Sequence, residues 1–180
     1  NRPVHRYEGK AYRDPLKVVV WCPSRAIVAQ FGIPFEGGTN FALEAGETGI
    51  YRFEVDARMQ TAGFLTDAPG QGVSAAETLY VFGCSGRLYF HVPAGVTNIV
   101  IEAGGSPHEA SSAALLNAEG KEVDSSTNME GSRLLRGTRP DAAKAEVWSI
   151  RFSAAKLFLR IGAPLVPVFS ADPAALLMAE

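Results

Sequence analysis

Leu88-Tyr89-Phe90-His91-Val92-Pro93-Ala94-Gly95, followed by Thr97-Asn98-Ile99-Val100-Ile101-Glu102, reads as two β-strands on either side of a Pro-Ala-Gly turn. Leu88, Phe90 and Val92 fall on one face of the first strand, and Tyr89 and His91 on the other, because side chains alternate along an extended chain. Similar runs recur along the sequence. In 50–56, Tyr51, Phe53 and Val55 alternate with Arg52, Glu54 and Asp56. In 147–153, Trp148, Ile150 and Phe152 form an inward face, and 157–161 follows after a short Ala-Ala-Lys link. The stretch 16–22 holds Val18, Val19 and Val20, apolar on both faces, as a central strand would be. Further strands are expected at 26–31, 40–43, 78–82, 114–117 and 121–124, the last two flanking an Ala118-Glu119-Gly120 turn.

Turn residues separate these runs at a spacing of about 8–12 residues, the rhythm of a sandwich or jelly roll. Helical periodicity is confined to two short candidates, 141–145 and 173–178, the second opened by Asp172-Pro173 as N-cap and first helical residue. The expected fold is all-β: one antiparallel β-sandwich, a jelly roll of about 8–11 strands. It would span residues 1–180 as a single domain with one or two very short helices. The stretches 66–75, 103–112 and 125–140 read as loops, and Gly83-Cys84-Ser85-Gly86 as a hairpin turn.

Composition narrows the function. Among 180 residues, 17 Lys and Arg face 19 Asp and Glu, a formal net charge of −2, which gives no field to attract nucleic acid or an anionic membrane. No apolar run approaches the roughly 18 residues of a membrane helix. The chain opens at Asn1 in patterned sequence without an initiator Met and reads as a segment of a longer protein. Cys22 and Cys84 are either a disulfide pair or two free thiols. No metalloprotease HExxH, P-loop or GxSxG elbow is present, and His5, His91 and His108 sit in unrelated contexts. The chain therefore reads as non-enzymatic.

If the ligand is a sugar, aromatic rings are the natural handles: the C–H faces of a pyranose stack on a ring while its hydroxyls take polar partners. Trp148 reads as core. Trp21, Tyr80, Tyr89 and His91 are the candidate contacts, each weighed against ordinary packing, and His108 and Glu109 are candidates at the tip of a glycine-rich loop. A structural calcium ion, drawing on Asp67 and Glu109, is a weaker expectation, since no contiguous Asp-rich loop supports it. Arg133, Arg136 and Arg139 recur every three residues, in what reads as a solvated loop.

Gly86-Arg87-Leu88-Tyr89-Phe90-His91-Val92-Pro93-Ala94-Gly95 resembles a phrase of the type G-x-LYFYVP-x-G. That phrase is found in non-catalytic β-sandwich modules near the C-termini of large secreted bacterial proteins, many of them glycoside-hydrolase-like. The likeness continues through Gly104-Gly105 with Glu109, the Asn117-Ala118-Glu119-Gly120-Lys121 hairpin, Glu146-Val147-Trp148-Ser149-Ile150 and Gly162-Ala163-Pro164-Leu165-Val166-Pro167, then a tail with Asp172-Pro173 and Leu176-Leu177, and covers roughly residues 46–180. The broader group is the galactose-binding-like jelly roll, which includes many carbohydrate-binding modules. His91 replaces a second Tyr of the phrase, and Ala118-Glu119 replaces its usual hairpin pair. The resemblance implies a carbohydrate-binding module that targets a covalently linked catalytic domain to polysaccharide, outside the cell or in the periplasm. The alternative is an accessory sandwich that packs against a catalytic domain and binds no glycan. Fold alone does not decide between them.

Overall fold

The computed structural model describes residues 14–56, 66–68, 70–75 and 78–177. Contacts divide the chain into two compact units, 1–65 and 66–180, each described by itself. The described residues are almost entirely β, in antiparallel sheets, as expected from the period-two patterning.

The first unit carries a three-stranded sheet in which β1 (Leu16–Trp21) lies between β2 (Ile27–Ile33) and β3 (Arg52–Asp56). Leu16, Val18 and Val20 are buried on one face of β1. The register slips between Val20 and Trp21, a bulge that ends the strand just before Cys22. The strand expected at 40–43 does not form; Phe41 instead sets its ring 5.0 Å from that of Phe31.

The second unit holds β4 (Val73–Ser74), β5 (Leu79–Val92), β6 (Asn98–Gly105), β7 (Ser111–Leu116), β8 (Glu122–Ser126), β9 (Gly131–Thr138), β10 (Glu146–Ile161) and β11 (Val168–Phe169). Its main sheet runs β8-β7-β10-β6-β9, with β5 along the other edge of β10. The sheet curls until β8 and β9 adjoin, and the Asp124 carboxylate of β8 accepts the Arg136 backbone N–H of β9 at 2.7 Å. That bond caps a seam that would otherwise expose unpaired strand edges.

The core inside this curl is built from Phe90, Val92, Ile99, Ile101, Leu115, Leu135, Trp148, Ile150, Leu157 and Leu159, all 2% exposed or less. The Trp148 indole fills the space beside Gly137, where an added Cβ would lie 2.5 Å from the ring. Its N–H is satisfied by Glu146 at 2.7 Å. Phe169 brings the C-terminal segment into this core, its ring edge-on to Phe90 at 5.8 Å. A short 3₁₀ turn at Pro173–Ala175 is capped by Asp172, as the sequence suggests, while no helix forms at 141–145.

Two long strands replace pairs of shorter expected ones. Gly83-Cys84-Ser85-Gly86 is no hairpin turn; it lies within β5, which pairs with β10 from Glu146↔Val92 to Leu159↔Leu79. The Ala-Ala-Lys link at 154–156 lies within β10 for the same reason. In both strands the inward side chains switch parity midway: Phe152 and Ala154 face the core, then Leu157 and Leu159. At that point the other neighbour of β10 changes from β7 to β6. The strands flanking the Pro-Ala-Gly turn form, but they do not pair with each other; β5 and β6 lie on opposite edges of β10.

The stretch 125–140, expected as a loop, contains β9, paired along its length with β6. Arg139 at its end is buried. Its guanidinium donates to the carbonyls of Val96 at 3.1 Å, Lys144 at 2.8 Å and Pro93 at 2.9 Å, and lies 3.7 Å from Glu146. It holds the 93–97 turn in place and is not a solvated loop cation.

Candidate functional sites

The parity switch gives the second unit an outer face with two halves of different chemistry. Where β10 runs beside β6, the outward residues are Lys156, Phe158 and Arg160, with Tyr80 and Phe82 of β5 on one side and Glu102 and Gly104 of β6 on the other. Tyr80 and Phe82 are 54% and 58% exposed and stack with centroids 6.2 Å apart and planes 20° from parallel. Phe158 pairs across the ladder with Tyr80 and Gly104, and its ring occupies the space where a Gly104 side chain would stand. Such cross-strand filling of a glycine by an aromatic ring is a known stabilising device.

Cations frame these rings. The Lys156 ammonium lies 5.9 Å from the Phe82 centroid, and the Arg160 guanidinium 5.6 Å from that of Phe158. Arg160 is fixed by Thr78 at 2.8 Å and Glu102 at 3.4 Å, and Glu102 also accepts the Ser132 hydroxyl. The result is a surface of three rings, two cations and one carboxylate spread over three strands. Leu134 and Val100 extend it as exposed apolar residues.

Where β10 runs beside β7, the outer face is polar. A groove of about 640 Å³ crosses β5, β10, β7 and β8 here. Arg87 and Arg151 face each other across the β5–β10 ladder. Ser85 and Ser153, one pair further along, share a hydroxyl–hydroxyl bond of 2.8 Å. Arg151 is paired with Glu122 at 2.8 Å.

The expected site residues separate accordingly. Tyr80 belongs to the aromatic face. Tyr89 is half-buried at the edge of the polar groove, beneath the Arg87 guanidinium at 5.6 Å, and its backbone is bridged to Ser170 by two hydrogen bonds. His91, expected on an open face with Tyr89, is 7% exposed, so it is not a surface ligand contact. Both of its ring nitrogens are buried without a partner among the described residues. Burial, and secondarily the Arg139 charge, hold its pKa below the usual imidazole value.

Trp21, in the first unit, is half-buried under the Arg52 guanidinium at 5.4 Å, and its buried indole N–H has no hydrogen-bond partner among the described residues. Nearby, the Glu47 carboxylate accepts the Ser24 backbone N–H at 2.9 Å and hydroxyl at 2.8 Å, which, with Cys22, lowers its pKa. His108 and Glu109 lie in the exposed turn between β6 and β7, His108 with φ of 64°. Asp67 is exposed, and among the described residues no three His, Cys, Asp or Glu side chains gather as a metal site. Cys22 and Cys84 are both free, the first buried and the second exposed. No helix among the described residues is long and apolar enough to cross a membrane.

Phe82 and Phe158 are not among the residues the sequence singles out as contacts; it places them only within the expected strands 78–82 and 157–161. The signal was present in the alternation: Phe82 shares parity with Tyr80, and Phe158 lies between the cationic Lys156 and Arg160.

No family model matches the chain, and no curated protein matches it. Among solved structures, a chain from the structure of infectious bursal disease virus Gt strain is similar at 13% sequence identity and a TM-score of 0.17, over 87% of this chain. The present chain spans 56% of the length of that one. So slight a likeness carries no argument about fold or function.

Proposed function

We propose that the chain is a non-catalytic carbohydrate-binding domain that targets an attached catalytic domain to polysaccharide outside the cell or in the periplasm, and that Tyr80, Phe82 and Phe158 form its sugar-stacking face. The observation that carries this reading is the exposed, near-parallel pair of Tyr80 and Phe82. Large aromatic rings left in water lose the stabilisation that burial would give them, about 1.5–3 kcal/mol for a Phe-sized side chain. A ligand with flat C–H faces recovers it. Lys156, Arg160 and Glu102 stand beside the rings as partners for hydroxyl groups. The galactose-binding-like resemblance points the same way.

The second reading is an accessory domain whose face packs against a neighbouring protein domain. Exposed Leu134 and Val100 favour it, because they enlarge the apolar area beyond the rings. Affinity electrophoresis of the chain against neutral and acidic polysaccharides separates the two. Retardation by one glycan class supports the binding domain. Unchanged mobility in all of them, with the chain folded, supports the accessory reading.

A further inference from the structure

We propose that the polar groove across β5, β10, β7 and β8 is a second binding site, one that takes an oxyanion, a carboxylate or a sulfate, on Arg87. This goes beyond the aromatic face and does not depend on it. Arg87 and Arg151 are direct cross-strand partners, a placement in which like charges repel. Glu122 neutralises Arg151 at 2.8 Å. Arg87 has no carboxylate partner among the described residues; its one charge-directed contact is the Tyr89 ring. One positive charge is therefore left over within the groove.

The Arg87 fork is also under-satisfied. Its Nε–H is buried and finds no hydrogen-bond partner among the described residues. A buried donor on a charged group is costly to leave unpaired. An oxyanion bound to the guanidinium supplies two acceptors in the geometry that a planar fork matches, and draws the side chain out far enough for Nε–H to bond. Ser85, Ser112 and Ser153 line the same groove. Their hydroxyls supply donors for the remaining oxygens of the anion or for the sugar hydroxyls around it. The volume of about 640 Å³ suits a monosaccharide-sized ligand.

The test is a titration of the full chain followed by the arginine Nε–Hε resonances and the backbone amides of Ser85 and Ser153. Sodium sulfate and sodium glucuronate are added separately, with sodium chloride at matched ionic strength and methyl glucoside as controls. The expected result is a saturable shift of the Arg87 resonance with sulfate, glucuronate or both, and none with the controls. Sulfate alone identifies a sulfate-ester site; glucuronate alone identifies a carboxylate site. Arg87→Gln is expected to weaken the response at least tenfold, and Arg87→Lys to restore part of it. Linear, non-saturating shifts that chloride reproduces overturn the proposal, as does a saturable response that persists undiminished in Arg87→Gln. The titration of the unaltered chain decides the matter by itself if a variant does not fold.

Discussion

The ring of Phe158 on β10 occupies the space that any side chain on Gly104 of β6 would need. The aromatic face therefore depends on a glycine two strands away from Tyr80. An added Cβ at residue 104 would also meet the Gly131 carbonyl oxygen at 2.8 Å, so the strand cannot simply shift toward β9. Gly104→Ala is expected to destabilise the fold by about 1–3 kcal/mol, the usual cost of overpacking. It also displaces Phe158 and weakens polysaccharide retardation more than Ser132→Ala does. Urea unfolding and affinity electrophoresis of both variants check this.

Trp148 and Gly137 stand in the same relation inside the core. Gly137→Ala is expected to cost about 1–3 kcal/mol. In a Trp148→Phe background the added methyl has room, so the cost should shrink. A double-mutant cycle by denaturant unfolding measures that coupling directly.

These two glycines explain much of what the sequence leaves hidden. In β9 the inward positions are Leu135 and Gly137, because Trp148 fills the space a larger residue would take. With a glycine at a core position and Arg133, Arg136 and Arg139 in the same stretch, the period-two signal vanishes and 125–140 reads as a loop. Where alternation is unbroken, as at 147–153, strand and inward face are both legible, and Trp148 is core as its neighbours indicate. The long strands are obscured by their mid-strand parity switch, which coincides with the change of neighbour from β7 to β6 and which no run of alternating residues announces. The burial of His91 likewise reflects long-range packing around it. Tyr80 is legible only as a candidate contact weighed against packing, and its partner Phe158 is not legible, since its setting depends on Gly104, far away in sequence.

Arg139 holds three carbonyls of the 93–97 turn and the 139–146 segment with one buried guanidinium. Arg139→Met leaves those acceptors without their donor and is expected to cost about 3 kcal/mol or more. Arg139→Lys should recover only part of this, because a single ammonium cannot reproduce a planar fork. Thermal unfolding of both variants gives the order: wild type, then Lys, then Met.

His91 gives the fold a pH dependence of defined sign. Its folded-state pKa is depressed by burial and by Arg139, so below the ordinary imidazole pKa the unfolded chain binds the extra proton more readily. Stability is accordingly full above the unfolded value of about 6.5 and declines as pH falls from there toward the depressed folded value. His91→Gln should flatten this decline without removing the separate acid losses from carboxylates such as Glu47, whose lowered pKa acts at lower pH. Urea midpoints measured at intervals across the weakly acidic range test the difference. Equal slopes for the two proteins would contradict it.

The central claim is that the rings of Tyr80 and Phe82 bind glycan. Both side chains lie outside the core, so truncating them should leave the fold intact. The most direct measurement is affinity electrophoresis of wild type beside Tyr80→Ala/Phe82→Ala in a series of polysaccharide gels, with circular dichroism confirming that both are folded. The account predicts that at least one polysaccharide retards the wild type and that the double variant loses at least tenfold in apparent affinity for it. Retardation of both proteins to the same extent, or of neither in any gel, would contradict it.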